Sequence, residues 1–136
     1  MSGTIIARSL LTANPAITST IPADRIIADD AFPQDIALPA ILIRSTSTVI
    51  DRVVNRGARR HVTERVSIEL HCDDNPTRRA MKTALRNAGD QKFPDRAGLE
   101  NINVLFLGHP ADGMSTTTFV RMSVTDLQVS YSEPAT

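Results

Sequence analysis

The sequence predicts an α+β fold: a mainly antiparallel sheet of four to five strands, flanked by an N-terminal helix and a second, amphipathic helix. Residues 61–72 alternate between apolar and polar side chains, which is the period of a strand with one buried face. Residues 77–88 repeat apolar side chains every three to four positions, as an amphipathic helix does. In order, the chain reads as a helix, two strands joined by a hairpin, the amphipathic helix and two more strands.

The N-terminal part is predicted to hold a helix, a short turn and two strands. Thr4 can cap the helix, and Asn14 before Pro15 should end it, because a residue that precedes proline avoids the α region. A turn at Pro15 buries two isoleucines, and residues 25–27 form a brief strand. Residues 39–50 form a long strand whose start is apolar on both faces, as in a central strand.

The middle of the chain is predicted to be a strand followed directly by a helix. In residues 61–72 the even positions are apolar, with Glu64 as the exception. Residues 73–76 stop this strand and start a helix, which Gly89 ends. The predicted buried stripe of the helix is Ala80, Met81, Ala84, Leu85 and Ala88.

The C-terminal part is predicted to hold two strands. Residues 101–107 form the first, which residues 108–113 break, and residues 116–132 form the second. The apolar positions of the last strand change phase along its length. A bulge near Thr125 and Asp126 would explain that change.

Composition excludes several classes of protein. The 136 residues suffice for one domain, 1–136, that buries about two-thirds of its unfolded surface. The 15 basic and 15 acidic residues balance, so net charge gives no argument for nucleic acid or an anionic membrane. Aromatic residues make up 4% of the chain, so an aliphatic core is expected.

The sequence also indicates the cellular compartment in which the protein is made. The single cysteine, Cys72, excludes an intrachain disulfide and fits a reducing compartment. No apolar run approaches the ~20 residues of a membrane span, and the start of the chain lacks the pattern of a secretory signal. We expect synthesis in the cytosol.

No arrangement of reactive residues points to catalysis or metal binding. His71 and Cys72 are adjacent in a strand, so they face opposite sides and cannot share an ion without distortion. His61 lies on the polar face with His71, away from the inward thiol that a nucleophilic pair would need. The glycines form neither of the common phosphate-binding motifs. The sequence predicts no enzyme, no cofactor and no metal.

Basic residues gather in two places. Four arginines surround the predicted hairpin tip: Arg52, Arg56, Arg59 and Arg60. Four basic residues line the exposed side of the second helix: Arg78, Arg79, Lys82 and Arg86. Each group is either an ordinary solvated face or a contact surface for a partner protein or for the phosphates of passing DNA. Few aromatic residues accompany them, so stacking on single-stranded bases is not expected.

An acidic loop offers a partner for the arginines. Residues 29–38 include Asp29, Asp30 and Asp35. The hypothesis is that the arginine hairpin of one subunit contacts the acidic loop of the next in a head-to-tail ring. Reversal of Arg56 and Arg59 to Glu should then change the oligomer mass at physiological salt.

The order and spacing of these segments resemble one known family. Four pieces carry the resemblance: residues 10–17, 21–26, 38–43 and 66–88. Together with the closing strand they are similar to the small tail-completion, or tail-terminator, proteins of tailed bacteriophages, over nearly the whole chain.

The resemblance implies a non-enzymatic structural protein of the virion. Such proteins form rings, often hexamers, that cap the head-proximal end of the tail tube, stop its polymerisation and join it to the head connector. The implied partners are copies of the chain itself, the tube protein, the connector or neck protein, a sheath if the tail is contractile, and DNA passing through the lumen without sequence recognition. The implied location is the tail or neck, with assembly in the host cytoplasm.

Two alternatives remain open. The first is another neck component: a head-closure or connector protein, or a tube subunit, which would stack into many rings instead of halting at one. The second is a small cytosolic ligand-binding domain, which would be a stable monomer or dimer with a closed apolar pocket. An enzyme is the class that the sequence favours least.

Overall fold

A computed structural model describes residues 2–28, 31–33, 35–51, 59–114 and 120–134. Its helices are α1 (Ser2–Thr12), α2 (Pro15–Thr18) and α3 (Asn75–Gly89), with a short 3-10 turn at Ala23–Arg25. Its strands are β1 (Ile26–Ala28), β2 (Ala40–Asp51), β3 (Arg59–Cys72), β4 (Glu100–Met114) and β5 (Arg121–Pro134). They form one five-stranded sheet in the order β1-β2-β3-β5-β4. Of the strand pairs among these described residues, only β1–β2 is parallel, so the predicted α+β fold is confirmed.

The two longer helices pack on the same face of the sheet, which we call the covered face. α1 contacts β1, β2, β3 and β5, while α3 contacts β3, β4 and β5. The even positions of β3 from Val62 to Cys72 point into this layer and are buried, as the alternation predicted. Among the described residues, the core is aliphatic apart from Cys72, Met81 and one aromatic side chain, Tyr131. The opposite, open face carries no helix among the described elements.

Short polar side chains begin two of the helices. The Asn14 side chain accepts a hydrogen bond from the Ala16 backbone nitrogen (2.9 Å), which starts α2 at Pro15. Asp74 accepts one from the Thr77 backbone nitrogen (2.9 Å), which starts α3. Hydrogen bonds from Thr77 lower the pKa of Asp74. The predicted cap at Thr4 is wrong, because α1 already begins at Ser2.

The buried stripe of α3 is narrower than predicted. Met81, Ala84, Leu85 and Ala88 are buried, but Ala80 is exposed, because it lies just off the side that meets the sheet. The helix ends at Gly89, as predicted. A Cβ atom at this position would lie 2.6 Å from Leu127 Cδ2. Gly89 is therefore required by close helix–sheet packing.

Two predictions for the C-terminal strands are wrong. Residues 108–113 do not break β4, which continues to Met114. The predicted bulge near Thr125 and Asp126 lies instead in β4, whose pairing with β5 shifts on both sides of Gly108. The β3–β5 ladder stays continuous. The bulges in β4 leave residues around Gly108 and Pro110 unpaired, so the strand bends there but continues.

The long strand β2 is paired unequally on its two sides. β3 accompanies it from Ala40 to Asp51, with a register shift between Ser45 and Ser47. β1 accompanies only residues 41–43. The start of β2 is therefore central, as predicted, and its second half is a sheet edge among the described residues. The predicted hairpin tip at residues 55–57 lies outside the described residues.

Candidate interaction surfaces

The basic stripe of α3 lies over strand β4. The Arg78 guanidinium donates a hydrogen bond to the Gly113 carbonyl oxygen (3.3 Å), and the Lys82 ammonium pairs with the Asp112 carboxylate (2.8 Å). The hydrogen bond from Lys82, followed by one from Ser123, lowers the pKa of Asp112. Each of these two basic groups therefore has a partner within the chain.

The other two basic residues of α3 are exposed. The Arg86 guanidinium lies over the Phe106 ring, 5.5 Å from its centroid, which is a cation–π contact with β4. Arg79 is exposed too. A partner-facing role for this helix stays a prediction, and Arg79 and Arg86 are the residues that would carry it.

The predicted arginine hairpin and acidic loop lie largely beyond the described residues. This holds for Arg52, Arg56, Asp29 and Asp30, and for the side chain of Arg59. The Arg60 guanidinium pairs with the Glu133 carboxylate at 2.8 Å. Asp35 is exposed, with a positive φ of 62°.

Strand β2 separates the acidic loop from the hairpin. It has 12 residues, and strands rise about 3.4 Å per residue, so its ends are about 40 Å apart. The predicted contact between the hairpin of one copy and the loop of the next therefore needs a neighbour displaced along the strand direction. That contact stays a prediction.

The covered face buries a carboxylate, Glu64, without a basic partner among the described residues. Its Oε2 atom accepts hydrogen bonds from the Gly3 backbone nitrogen and from the Tyr131 hydroxyl, both at 2.7 Å. Its Oε1 atom accepts one from the Ser45 hydroxyl at 3.1 Å. Glu64 thereby links α1 to β2, β3 and β5.

The start of α1 fits closely around this carboxylate. A Cβ atom on Gly3 would lie 2.5 Å from Glu64 Oε2, so glycine lets the helix approach. Backbone N–H groups and the positive end of the helix dipole stabilise a negative charge at this position. Burial, and then the hydrogen bond to Glu64, raise the pKa of Tyr131. The sequence signal for this cluster was Glu64 itself, the one acidic residue among the apolar even positions of residues 61–72.

The open face also buries a carboxylate, Asp126, but supplies it with a cation. Arg65 donates to Asp126 Oδ2 through its Nε (2.9 Å) and a second guanidinium nitrogen, and the Ser67 hydroxyl donates to Oδ1 (2.8 Å). The Arg65 side chain remains 53% exposed. A shallow groove of about 380 Å³ runs beside these residues, with Thr46 and Ser47 on its other side.

One corner of the open face is covered by the loop before β2. The Phe32 ring meets the His71 ring edge-on, with centroids 4.9 Å apart. Arg44 and Glu69 form an ion pair beside them. Leu42, which points to the same face, is buried.

The reactive side chains occupy structural positions. Cys72 is buried in the core layer, its Sγ 3.4 Å from the Asp74 carbonyl oxygen, and burial raises its pKa. His71 points to the opposite face, as predicted. His109 contacts the Thr125 hydroxyl at 2.9 Å, and burial lowers its pKa.

The described residues form neither a metal site nor a membrane-spanning helix. No group of three or more His, Cys, Asp or Glu side chains there is arranged to hold a metal ion. Over the same residues, no helix is both long and apolar enough to cross a membrane.

Comparison with known proteins gives a structural match only. No family model matches the sequence, and no curated protein matches it. The fold is similar to that of a chain in a solved structure described as the virion of a native gene transfer agent particle. The TM-score is 0.67 at 11% sequence identity, and the match covers 93% of this chain and 91% of the other.

Proposed function

We propose that this protein is a structural component of a phage-like virion. The observation that carries the proposal is the similarity of fold, over more than nine-tenths of both chains, to a chain of the gene transfer agent virion. The resemblance of segment order to tail-completion proteins supports the same class. The buried positions of Cys72 and Glu64, both hydrogen-bonded within the chain, are consistent with a scaffold.

Within that class we propose a tail-terminator role. A hexameric ring of this chain would cap the head-proximal end of the tail tube, stop its growth and present a surface to the head connector. One physical feature supports the proposal: the sheet has one helix-covered face and one open face, so the two sides of a ring built from it would differ. A subunit that must add once and then stop needs unlike surfaces.

The test uses the purified full chain and isolated tail tubes. We expect light scattering to give a discrete oligomer of the 14.8 kDa chain, and electron microscopy to show single rings that bind one end of the tubes. Tail tubes that polymerise in the presence of the protein should stop growing once a ring has bound their end.

Two outcomes would separate the alternatives. Stacks of many rings from this chain alone would indicate a tube subunit. A monomer that binds no tail component would contradict the virion proposal altogether.

A further inference from the structure

The two edges of the sheet differ in how their backbone groups are covered. Along β4, Lys92 and Val104 exchange two backbone hydrogen bonds, of 3.0 and 2.8 Å. The Asp90 carboxylate accepts another from the Phe106 backbone nitrogen (3.3 Å), and bulges follow around Gly108. Covering segments and bulges prevent a strand edge from adding further strands.

Among the residues that the structure describes, little of this kind protects the β2 edge. The described part of β1 ends opposite Ile43, and all residues from Arg44 to Ile50 are exposed. One irregularity, between Ser45 and Ser47, interrupts the strand. Residues 44–48 are polar, whereas Val49 and Ile50 are 58% and 40% exposed and point to opposite faces, so this end of the edge carries an apolar side chain on each face. An exposed edge strand with apolar side chains is a site at which another chain can pack.

A second exposed apolar residue lies at the other side of the sheet. Phe93 directly follows Lys92, which pairs with β4, and it is 71% exposed. Aromatic side chains are enriched among the residues that dominate binding energy at interfaces. Three spacings separate β2 from β4 and a fourth separates β4 from Lys92, so at about 4.8 Å each the two sites are roughly 20 Å apart and cannot cover each other within one chain.

We propose that the β2 edge of one copy packs against Phe93 of the next copy, in a head-to-tail contact. This inference rests on the proposed ring and identifies its subunit interface. Each chain carries one site of each kind, on opposite edges of one sheet, so a closed ring covers both sites in every copy. A different protein bound at either site would leave the other exposed. Contacts between unlike surfaces form closed rings when the rotation between neighbours closes.

The test uses two variants of the full chain that each disable one site, Val49→Lys and Phe93→Lys. Each alone should lose the oligomer and run as a 14.8 kDa monomer in light scattering. An equimolar mixture should form a particle of twice that mass and no larger. The reason is that Phe93 of the first variant still binds the intact β2 edge of the second, whereas the remaining sites are blocked.

Met114→Lys is the matched control, because Met114 is 49% exposed at the end of β4. It pairs with Arg121, far along the strands from Val104 beside Phe93 and from the end of β2 that carries Val49. This variant should keep the wild-type mass, and circular dichroism should show that all variants are folded. If both edge variants keep the ring, the interface is wrong while the proposed function stands. If Phe93→Lys gives a dimer on its own, β2 pairs with β2 and the inference is wrong. A wild type that stays monomeric, with or without tail tubes, would overturn both proposals.

Discussion

The two faces of the sheet each bury a carboxylate, and they stabilise it in different ways. Glu64 on the covered face accepts hydrogen bonds from neutral groups and lies at the start of α1. Asp126 on the open face is held by Arg65, about half of whose side chain stays in water. On the covered face the carboxylate is inaccessible and joins four elements. On the open face the pair joins neighbouring strands and remains within reach of a partner.

This difference indicates that the covered face and the open face have different roles, one in stability and the other in assembly. The covered face holds the fold together, because loss of any donor to Glu64 leaves a buried polar group without a partner. The open face tolerates change, because Arg65 can return to water at little cost. We therefore expect mutations on the covered face to act on stability, and mutations on the open face and at the β2 edge to act on assembly.

The largest effect is expected from Glu64→Ala. It removes the acceptor of buried Gly3 and Tyr131 donors, so the free energy of unfolding should fall by about 3 kcal/mol in urea titrations. The matched change Asp126→Ala should cost about 1 kcal/mol, because its partner Arg65 is largely solvated. Equal losses for the two variants would contradict the distinction between the faces.

Gly3→Ala should have the next largest effect. The added Cβ meets Glu64 Oε2 at 2.5 Å, and crowding of this kind typically costs about 1–3 kcal/mol. Helix propensity alone predicts the opposite sign, a gain of about 1 kcal/mol. The exposed Ser9→Ala on the same helix is the control and should change stability little. A thermal unfolding series that finds Gly3→Ala more stable than wild type would contradict the close approach of α1.

The ionisation of Tyr131 should report the same cluster without a change of fold. Its pKa is raised, so tyrosinate absorbance should appear at higher pH than the ordinary value of about 10. Tyr131 is the only tyrosine and tryptophan is absent, so the signal belongs to one residue.

The sign of the accompanying stability change follows from the same shift. The unfolded chain loses this proton first, so stability should be complete below pH ~10 and fall as the pH rises above it. Tyr131→Phe should remove that loss, at a cost of about 1 kcal/mol near neutral pH. An ordinary tyrosine titration in the folded protein would show that the hydroxyl is not buried against Glu64.

The smallest effect is expected at the exposed Asp74, which belongs to neither face. Its lowered pKa means that its contribution is present above the ordinary aspartate pKa of about 3.9 and is lost as the pH falls through the folded value. Asp74→Asn keeps a cap for α3 and removes the titration, so stability should depend less steeply on pH in acid. A variant with the slope of the wild type would show that Asp74 does not titrate as described.

Local rules identified most of the secondary structure. The alternation of β3 predicted its buried positions, and opposite faces for His71 and Cys72, because successive side chains in a strand point to opposite sides. Asn14 and Asp74 marked helix starts, because their short side chains accept hydrogen bonds from backbone donors that lack partners. These signals involve residues a few positions apart.

Other features depended on residues far apart in the chain. Residues 108–113 read as a break, because glycine and proline usually end a strand, yet bulges against β5 carry β4 through them. Ala80 fits the period of α3, but the angle at which the helix meets the sheet leaves it exposed. Glu64 read as an exception to the pattern, and only the approach of Gly3 from 61 positions away shows what it binds.

The sequence by itself determined the class of fold, the aliphatic core and the order of the elements, because hydrophobic period and capping are local properties. The tertiary structure alone decided which sheet edge stays open, which carboxylate is buried, and that Arg78 and Lys82 bind β4. Those outcomes depend on which distant segments come together: β1 stops at Ala28, residues 90–92 cover β4, and α1 lies across Glu64. No short-range pattern encodes such distances.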